Sequence, residues 1–186
     1  FIVEDENCII WMKELHLLTA KPILYVANID ESEIHSESKY LEQLKQHLSG
    51  DQDFDIIPLC SALESELSQL PEEELRDFLS DLGIAEPALD KLIRSSYSLL
   101  ELQTYFTAGE KEVRSWSIKK NLKAPQAAGV IHTDFERGFI CAEVVSYHDY
   151  VDLGGELASK NAGKMKLEGK DYVVQEGDVI HFRFNV

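Results

Sequence analysis

The sequence has few cysteines and no closely spaced pair of them. Cys8, Cys60 and Cys141 are the three cysteines in 186 residues, and no two of them form a Cys-x-x-Cys motif. Disulfide-stapled secreted domains and structural zinc sites both depend on paired or clustered cysteines. The sequence therefore argues against both classes and favours a protein of the reducing cytoplasm.

Long apolar runs are also missing. No stretch approaches the roughly 20 apolar residues that a membrane-spanning helix needs, and the opening "FIVEDENCIIW" is too acidic for a signal or transit peptide. No membrane contact is therefore predicted. The chain begins with Phe1 rather than methionine, and we expect it to be the tail of a longer protein.

Positive charge is scarce in the first half of the chain. The whole sequence has 18 Lys and Arg against 34 Asp and Glu. Residues 1–99 hold 7 basic residues (Lys and Arg) against 21 acidic ones (Asp and Glu), whereas residues 100–186 hold 11 basic against 13 acidic residues. Because an acidic surface repels phosphate backbones and anionic lipids, any contact with RNA is predicted after residue 100, and no DNA partner is expected. The candidate RNA-binding cluster is Lys119, Lys120 and Lys123.

The apolar pattern changes near residues 100–104. Before it, "ILYVA" and "FDIIPL" are short, continuous apolar runs of the kind that parallel sheets bury, and amphipathic helical segments alternate with them. After it, short alternating strands occur with a short helix at "APQAAGVI" and two helical pieces around "YHDYVDLG" and "GELASKNAGKM". The first half is therefore predicted to be α/β, and the second half is predicted to be an α+β module.

Asn28 follows the first predicted strand directly, and Glu31 comes three residues later. Ligands of open α/β sheets bind beyond the carboxyl ends of the strands. An Asn side chain can pair with N6 and N7 of adenine, and a carboxylate only accepts hydrogen bonds. The pair is thus a candidate reader of a purine base. The alternative is that Asn28 caps a turn and that Asp30, Glu31 and Glu33 form a solvated acidic loop.

Several longer stretches carry a resemblance to a known family. They are "TAKPILYVANIDE", "IIPLCSALESEL", "LQTYFTAGEKEVRSWSIKKNLKAPQAAGVIHTDFERGFICAEVVSYHDYVDLGG" and "GKDYVVQEGDVIHFRFNV". Together they resemble the C-terminal half of the Obg-like ATPase family, also called YchF. The resemblance implies the end of a P-loop GTPase-like α/β domain over residues 1–83, a helical connector over 84–103, and a TGS domain of α+β β-grasp fold over 104–186.

The resemblance also implies which residues bind the nucleotide base. In this family the guanine-reading NKxD loop is altered to NxxE, which favours ATP over GTP, and here that loop is "NIDE". By resemblance, Asn28 reads the adenine edge, Ile29 packs or bonds along the base, and Glu31 replaces the guanine-binding Asp. The backbone at Ser61 and Ala62 is expected to close the other side of the base.

The phosphate-binding part of the family's machinery is not in this sequence. No GxxxxGK[ST] motif occurs in it, so no catalytic residue and no metal ligand are predicted here. The intact protein is expected to hydrolyse ATP to ADP and phosphate with Mg²⁺, in association with the ribosome, whereas this chain alone is expected to be inactive. The alternative is a non-catalytic module that binds RNA or a protein through the TGS domain.

Overall fold

The chain divides into two compact units, Phe1–Leu99 and Leu100–Val186. A computed structural model describes residues 6–36, 38–48, 56–109 and 111–185. Within these ranges no helix is long and apolar enough to cross a membrane. The second unit begins its first strand at Leu102, two residues before the start predicted for the TGS domain. The division into a nucleotide domain, a connector and a TGS domain stays a prediction.

The first unit alternates strands and helices, as its sequence pattern indicates. Two four-residue strands form a parallel pair in which Tyr25 lies opposite Ile56 and Asn28 lies opposite Leu59. The elements are α1 (Glu6–Glu14), β1 (Tyr25–Asn28), α2 (Lys39–Leu48), β2 (Ile56–Leu59), α3 (Ser61–Leu67), α4 (Glu72–Asp81) and α5 (Ala88–Leu99).

A small apolar cluster holds the loops at the ends of these strands. Its buried members come from the end of β2, from α3 and from α4, and they are Cys60, Leu63, Leu67 and Leu79. Ile29 and Ile34 are partly buried against the same cluster. Because apolar side chains on both sides of the β1 loop enter one cluster, this loop is held against α3 by burial of apolar surface.

The second unit is built on a five-stranded mixed sheet. The strand order is β4-β3-β7-β5-β6, with β3 and β7 parallel and the other neighbours antiparallel. The elements are β3 (Leu102–Ala108), β4 (Val113–Lys119), α6 (Ala124–Ile131), α7 (Thr133–Arg137), β5 (Phe139–Ser146), α8 (Tyr147–Leu153), α9 (Glu156–Asn161), β6 (Lys166–Glu168) and β7 (Asp178–Phe184).

Helix α6 packs against one face of this sheet and forms the core with it. Ala124, Ala127 and Ala128 are fully buried against strand residues such as Tyr105 and Ile180. The Tyr105 hydroxyl donates a hydrogen bond of 3.0 Å to the Ala127 carbonyl, so its polar atom is satisfied inside the core. Burial raises the pKa of Tyr105 well above its ordinary value, and the ring serves as core rather than as a surface for stacking.

Two short elements of this unit were not predicted from the sequence. Helix α7 has five residues and strand β6 has three, which is too short for a helical or an alternating period to be read. Helix α7 depends on a local contact, because Nδ1 of His132 accepts a hydrogen bond of 3.2 Å from the Asp134 amide. The helix predicted at "APQAAGVI" agrees with α6.

Candidate base-binding site

The carboxyl ends of β1 and β2 meet at the candidate site. The Ile29 amide donates a 3.0 Å hydrogen bond to the Leu59 carbonyl, which continues the pairing one residue beyond β1. The Ser61 amide donates a 3.1 Å hydrogen bond to Oδ1 of Asn28. Two residues that are 33 positions apart in sequence, and that were both predicted to contact the base, are thus in direct contact.

This contact sets the orientation of the Asn28 side-chain amide. A backbone N–H can only donate, so the atom that faces Ser61 must be the oxygen, and the Nδ2 group points elsewhere with its two donors. Asn28 is exposed. The side chain therefore offers donors that suit an acceptor such as N7 of a purine, while its oxygen keeps one lone pair for an amine.

Asn28 also stabilises the start of α3. Ser61 is the first residue of this helix, and Cys60 before it makes no capping hydrogen bond with its side chain. The first amides of a helix have no partner within the helix, and Oδ1 of Asn28 satisfies one of them. The turn-capping role and the base-reading role considered for Asn28 are therefore compatible, since they use different atoms of one amide.

A capping box stabilises the loop that carries Glu31. Asp30 precedes a short 3₁₀ helix, Glu31–Glu33, and its Oδ1 accepts hydrogen bonds from the Ser32 amide at 3.0 Å and the Ser32 hydroxyl at 2.7 Å. Glu33 accepts a 3.2 Å bond from the Asp30 amide in return. The Ser32 hydroxyl lowers the pKa of the Asp30 carboxyl below its ordinary value. Glu31 is left exposed on an ordered turn.

Ile29, between Asn28 and Asp30, is partly buried. It packs against the cluster that contains Cys60 and Leu63, and it lines a pocket of about 250 Å³ that Glu64 and Glu86 also border. The other predicted base-binding residues do not line this pocket and are all exposed; they are Asn28, Glu31, Ser61 and Ala62. The structure thus separates the partly buried Ile29 from the four exposed residues, and a contact of Ile29 with the base stays a prediction.

One residue of this region was missed in the sequence. The carboxylate of Glu64, in α3, accepts hydrogen bonds from the Ala88 amide at 2.8 Å and the Leu89 amide at 3.1 Å. These are the first two amides of α5, which follows Pro87. A carboxylate near a helix amino terminus is favourable, but nothing in the spacing of 24 residues between Glu64 and Ala88 indicates this pairing.

The three lysines of the candidate RNA-binding cluster differ in their surroundings. Lys119 donates to the Leu100 carbonyl at 2.6 Å, and Lys123 forms an ion pair of 2.7 Å with Asp171. Within the described ranges, the ammonium group of Lys120 has no hydrogen-bond partner, and the residue is exposed. Because Asp171 offsets the charge of Lys123, the surface is less basic than the sequence indicates.

Comparison with known proteins follows the same division of the chain. Residues 102–185 match the family YchF-GTPase_C, described as a protein of unknown function (DUF933). The chain is 55% identical over 177 residues to the ribosome-binding ATPase YchF of Bacillus subtilis, covering 94% of this chain and 48% of that protein. It is 45% identical over 171 residues to Obg-like ATPase 1 of Rattus norvegicus, and this match covers 91% of this chain and 43% of that protein.

The chain is a homologue of the C-terminal half of YchF proteins. The predicted resemblance to the Obg-like ATPase family is confirmed over that half. The solved YchF GTPase of Schizosaccharomyces pombe has a TM-score of 0.83 and 39% identity, and the match covers 98% of this chain and 48% of that one. A GTP-binding protein from Pyrococcus horikoshii, with a TM-score of 0.57 and 17% identity, shares the fold. The chain spans about half the length of the curated YchF relatives it matches.

Proposed function

We propose that the intact protein binds and hydrolyses ATP in association with the ribosome, and that this chain supplies the part of its nucleotide site that reads the base. The hydrogen bond from the Ser61 amide to Oδ1 of Asn28 carries the proposal. It joins two residues that the resemblance to the Obg-like family assigns to the base. The names of the YchF relatives, which describe ribosome-binding ATPases, support the whole-protein activity and a place in the cytoplasm.

The base site discriminates between purines mainly at Glu31. Both adenine and guanine carry N7, so the donors of Asn28 favour either base. Guanine also offers N1–H and N2–H₂ as donors, which an Asp of the usual loop would accept. The longer Glu31 side chain places its carboxylate at a different depth, so these donors are left unpaired and guanine is disfavoured by roughly 1 to 3 kcal/mol.

The first unit supplies only part of the proposed nucleotide domain. Its two strands are parallel, and parallel sheets are normally covered on both faces, yet Val26 in β1 is 46% exposed. The sequence has no GxxxxGK[ST] motif, whose backbone, Lys and Ser/Thr would hold the phosphates and Mg²⁺. We infer that Mg²⁺ and the phosphates of ATP contact other parts of the intact protein, and that this chain alone is inactive.

The second unit is the proposed TGS domain. Its strand order and its single parallel pair, β3 with β7, support a β-grasp fold in which α6 lies across the sheet. The exposed ammonium group of Lys120 favours a second candidate function for this unit, namely binding of ribosomal RNA without chemistry. A protein partner at the same unit remains the alternative occupant.

Restoring the guanine-reading loop tests the base-site proposal. In the full-length protein, Glu31→Asp together with Ile29→Lys recreates the NKxD pattern, and we expect the preference to move toward GTP by about tenfold or more. Competition binding with ATP and GTP measures the ratio. Ile29 is partly buried in the apolar cluster, so Glu31→Asp alone, which leaves this packing unchanged, is tested as well and should move the preference toward GTP in the same direction. An ATP-to-GTP ratio that stays at the wild-type value in both variants would mean that this loop does not read the base.

A further inference from the structure

Two helix starts of the first unit are stabilised by side chains that come from other elements. Asn28, at the end of β1, accepts from the first amide of α3. Glu64, in the first turns of α3, accepts from the first two amides of α5. Neither helix has a capping side chain of its own in the adjacent residue, because Cys60 makes no capping bond and Pro87 has no hydrogen-bonding side chain.

The second of these contacts bears directly on the first. The Glu64 amide donates to the Cys60 carbonyl at 3.0 Å, so Glu64 lies one helical turn from Ser61 on the same short helix. Its carboxylate ties this turn to α5, a helix of 12 residues. Leu63 and Leu67 bury one side of α3, but apolar contacts are not directional. The two hydrogen bonds of Glu64 therefore restrict the rotation and sliding that burial alone permits.

We propose that Glu64 is a positioning residue of the base site: by clamping α3 to the start of α5, it holds the Ser61 amide where it orients Asn28. This inference rests on the proposed function. Glu64 borders the pocket that Ile29 also lines, and its carboxylate is occupied by the Ala88 and Leu89 amides. Its effect on nucleotide binding is transmitted through Ser61 and Asn28. We therefore expect it to change the contacts with the base and to leave the contacts with the phosphates unaffected.

The test is Glu64→Gln in the full-length protein, with Glu66→Gln as the matched control. Glu66 is exposed on the same helix, and its side chain makes no hydrogen bond or ion pair within the described ranges. A glutamine in place of Glu64 keeps one neutral acceptor oxygen and loses the carboxylate charge. We expect affinity for ATP and for GTP to fall together by about three- to tenfold, as the loss of one charge-assisted hydrogen bond implies. Glu66→Gln should bind both nucleotides as the wild type does.

Two further measurements separate positioning from a general loss of structure. Binding of Mg²⁺-tripolyphosphate, which has no base, should be unchanged in Glu64→Gln, and this also shows that the variant is folded. In an Asn28→Ala background, Glu64→Gln should have no additional effect on ATP affinity, because its effect is carried by Asn28. Equal losses for ATP and tripolyphosphate, or losses that add in the double variant, would overturn the inference.

The outcome also distinguishes this inference from the function on which it rests. If the wild-type protein does not bind ATP, or if Asn28→Ala binds it as well as the wild type does, the base-site proposal itself is wrong. If Asn28→Ala weakens binding while Glu64→Gln does not, the base site stands and Glu64 has only a structural role.

Discussion

Substituting Asn28 by Asp separates the two roles of this side chain. Aspartate retains an oxygen where Oδ1 accepts the 3.1 Å hydrogen bond from the Ser61 amide, so the start of α3 keeps its cap. The substitution removes Nδ2, which is the donor that the geometry leaves for the base. Asn28→Ala, in contrast, removes both the acceptor and the donor.

The expected magnitudes differ between stability and binding. Loss of a capping side chain costs about 1 kcal/mol, so Asn28→Ala should destabilise the start of α3, whereas Asn28→Asp should stay within about 0.5 kcal/mol of the wild type. A carboxylate facing purine N7 places two acceptors against each other. With an unpaired buried group costing about 1 to 3 kcal/mol, ATP affinity should fall roughly 5- to 150-fold in Asn28→Asp.

Two assays on the full-length protein check these expectations. Hydrogen exchange of the peptide that contains Ser61 measures whether the Ser61 amide is still hydrogen-bonded to the side chain at position 28. This peptide should show wild-type protection in Asn28→Asp and faster exchange in Asn28→Ala. Calorimetry with ATP reports the base contact, and both variants should bind more weakly. Wild-type ATP affinity in Asn28→Asp would refute the idea that Nδ2 donates to the base and would leave Asn28 as a helix cap alone.

The remaining predictions concern the second unit. Changing Lys119, Lys120 and Lys123 to Glu in the full-length protein should weaken ribosome co-sedimentation and make it depend less on salt, because fewer RNA phosphates are neutralised. Unchanged co-sedimentation across a salt series would place the RNA contact elsewhere. Gly138→Ala should lower the free energy of unfolding by about 1 to 3 kcal/mol, because its Cβ would lie 2.9 Å from the carbonyl carbon of Asn185 and closer still to the oxygen. Gly169→Ala, where a Cβ meets nothing within 4 Å, is the control in the same denaturant titration.

The sequence alone predicted the elements that repeat a clear local pattern. The apolar runs around Tyr25 and Ile57 indicated two short strands, which occur as a parallel pair, although β1 is not buried on both faces as predicted. The small-residue segment Ala124–Ile131 indicated α6, and the change of pattern near residue 100 separated two kinds of structure. These elements could be predicted because local composition and apolar patterning are written in the sequence itself. The resemblance to the Obg-like family could likewise be recognised from contiguous motifs.

The tertiary structure decided every relation between distant segments. The strand order, in which β7 from the end of the chain lies between β3 and β5, follows from pairing over long sequence separations that no local period records. The same holds for the contact of Asn28 with Ser61, for the clamp of Glu64 on the start of α5, and for the ion pair that offsets the charge of Lys123. A hydrogen bond needs two groups within about 3 Å in the right direction, and only the folded chain brings such groups together.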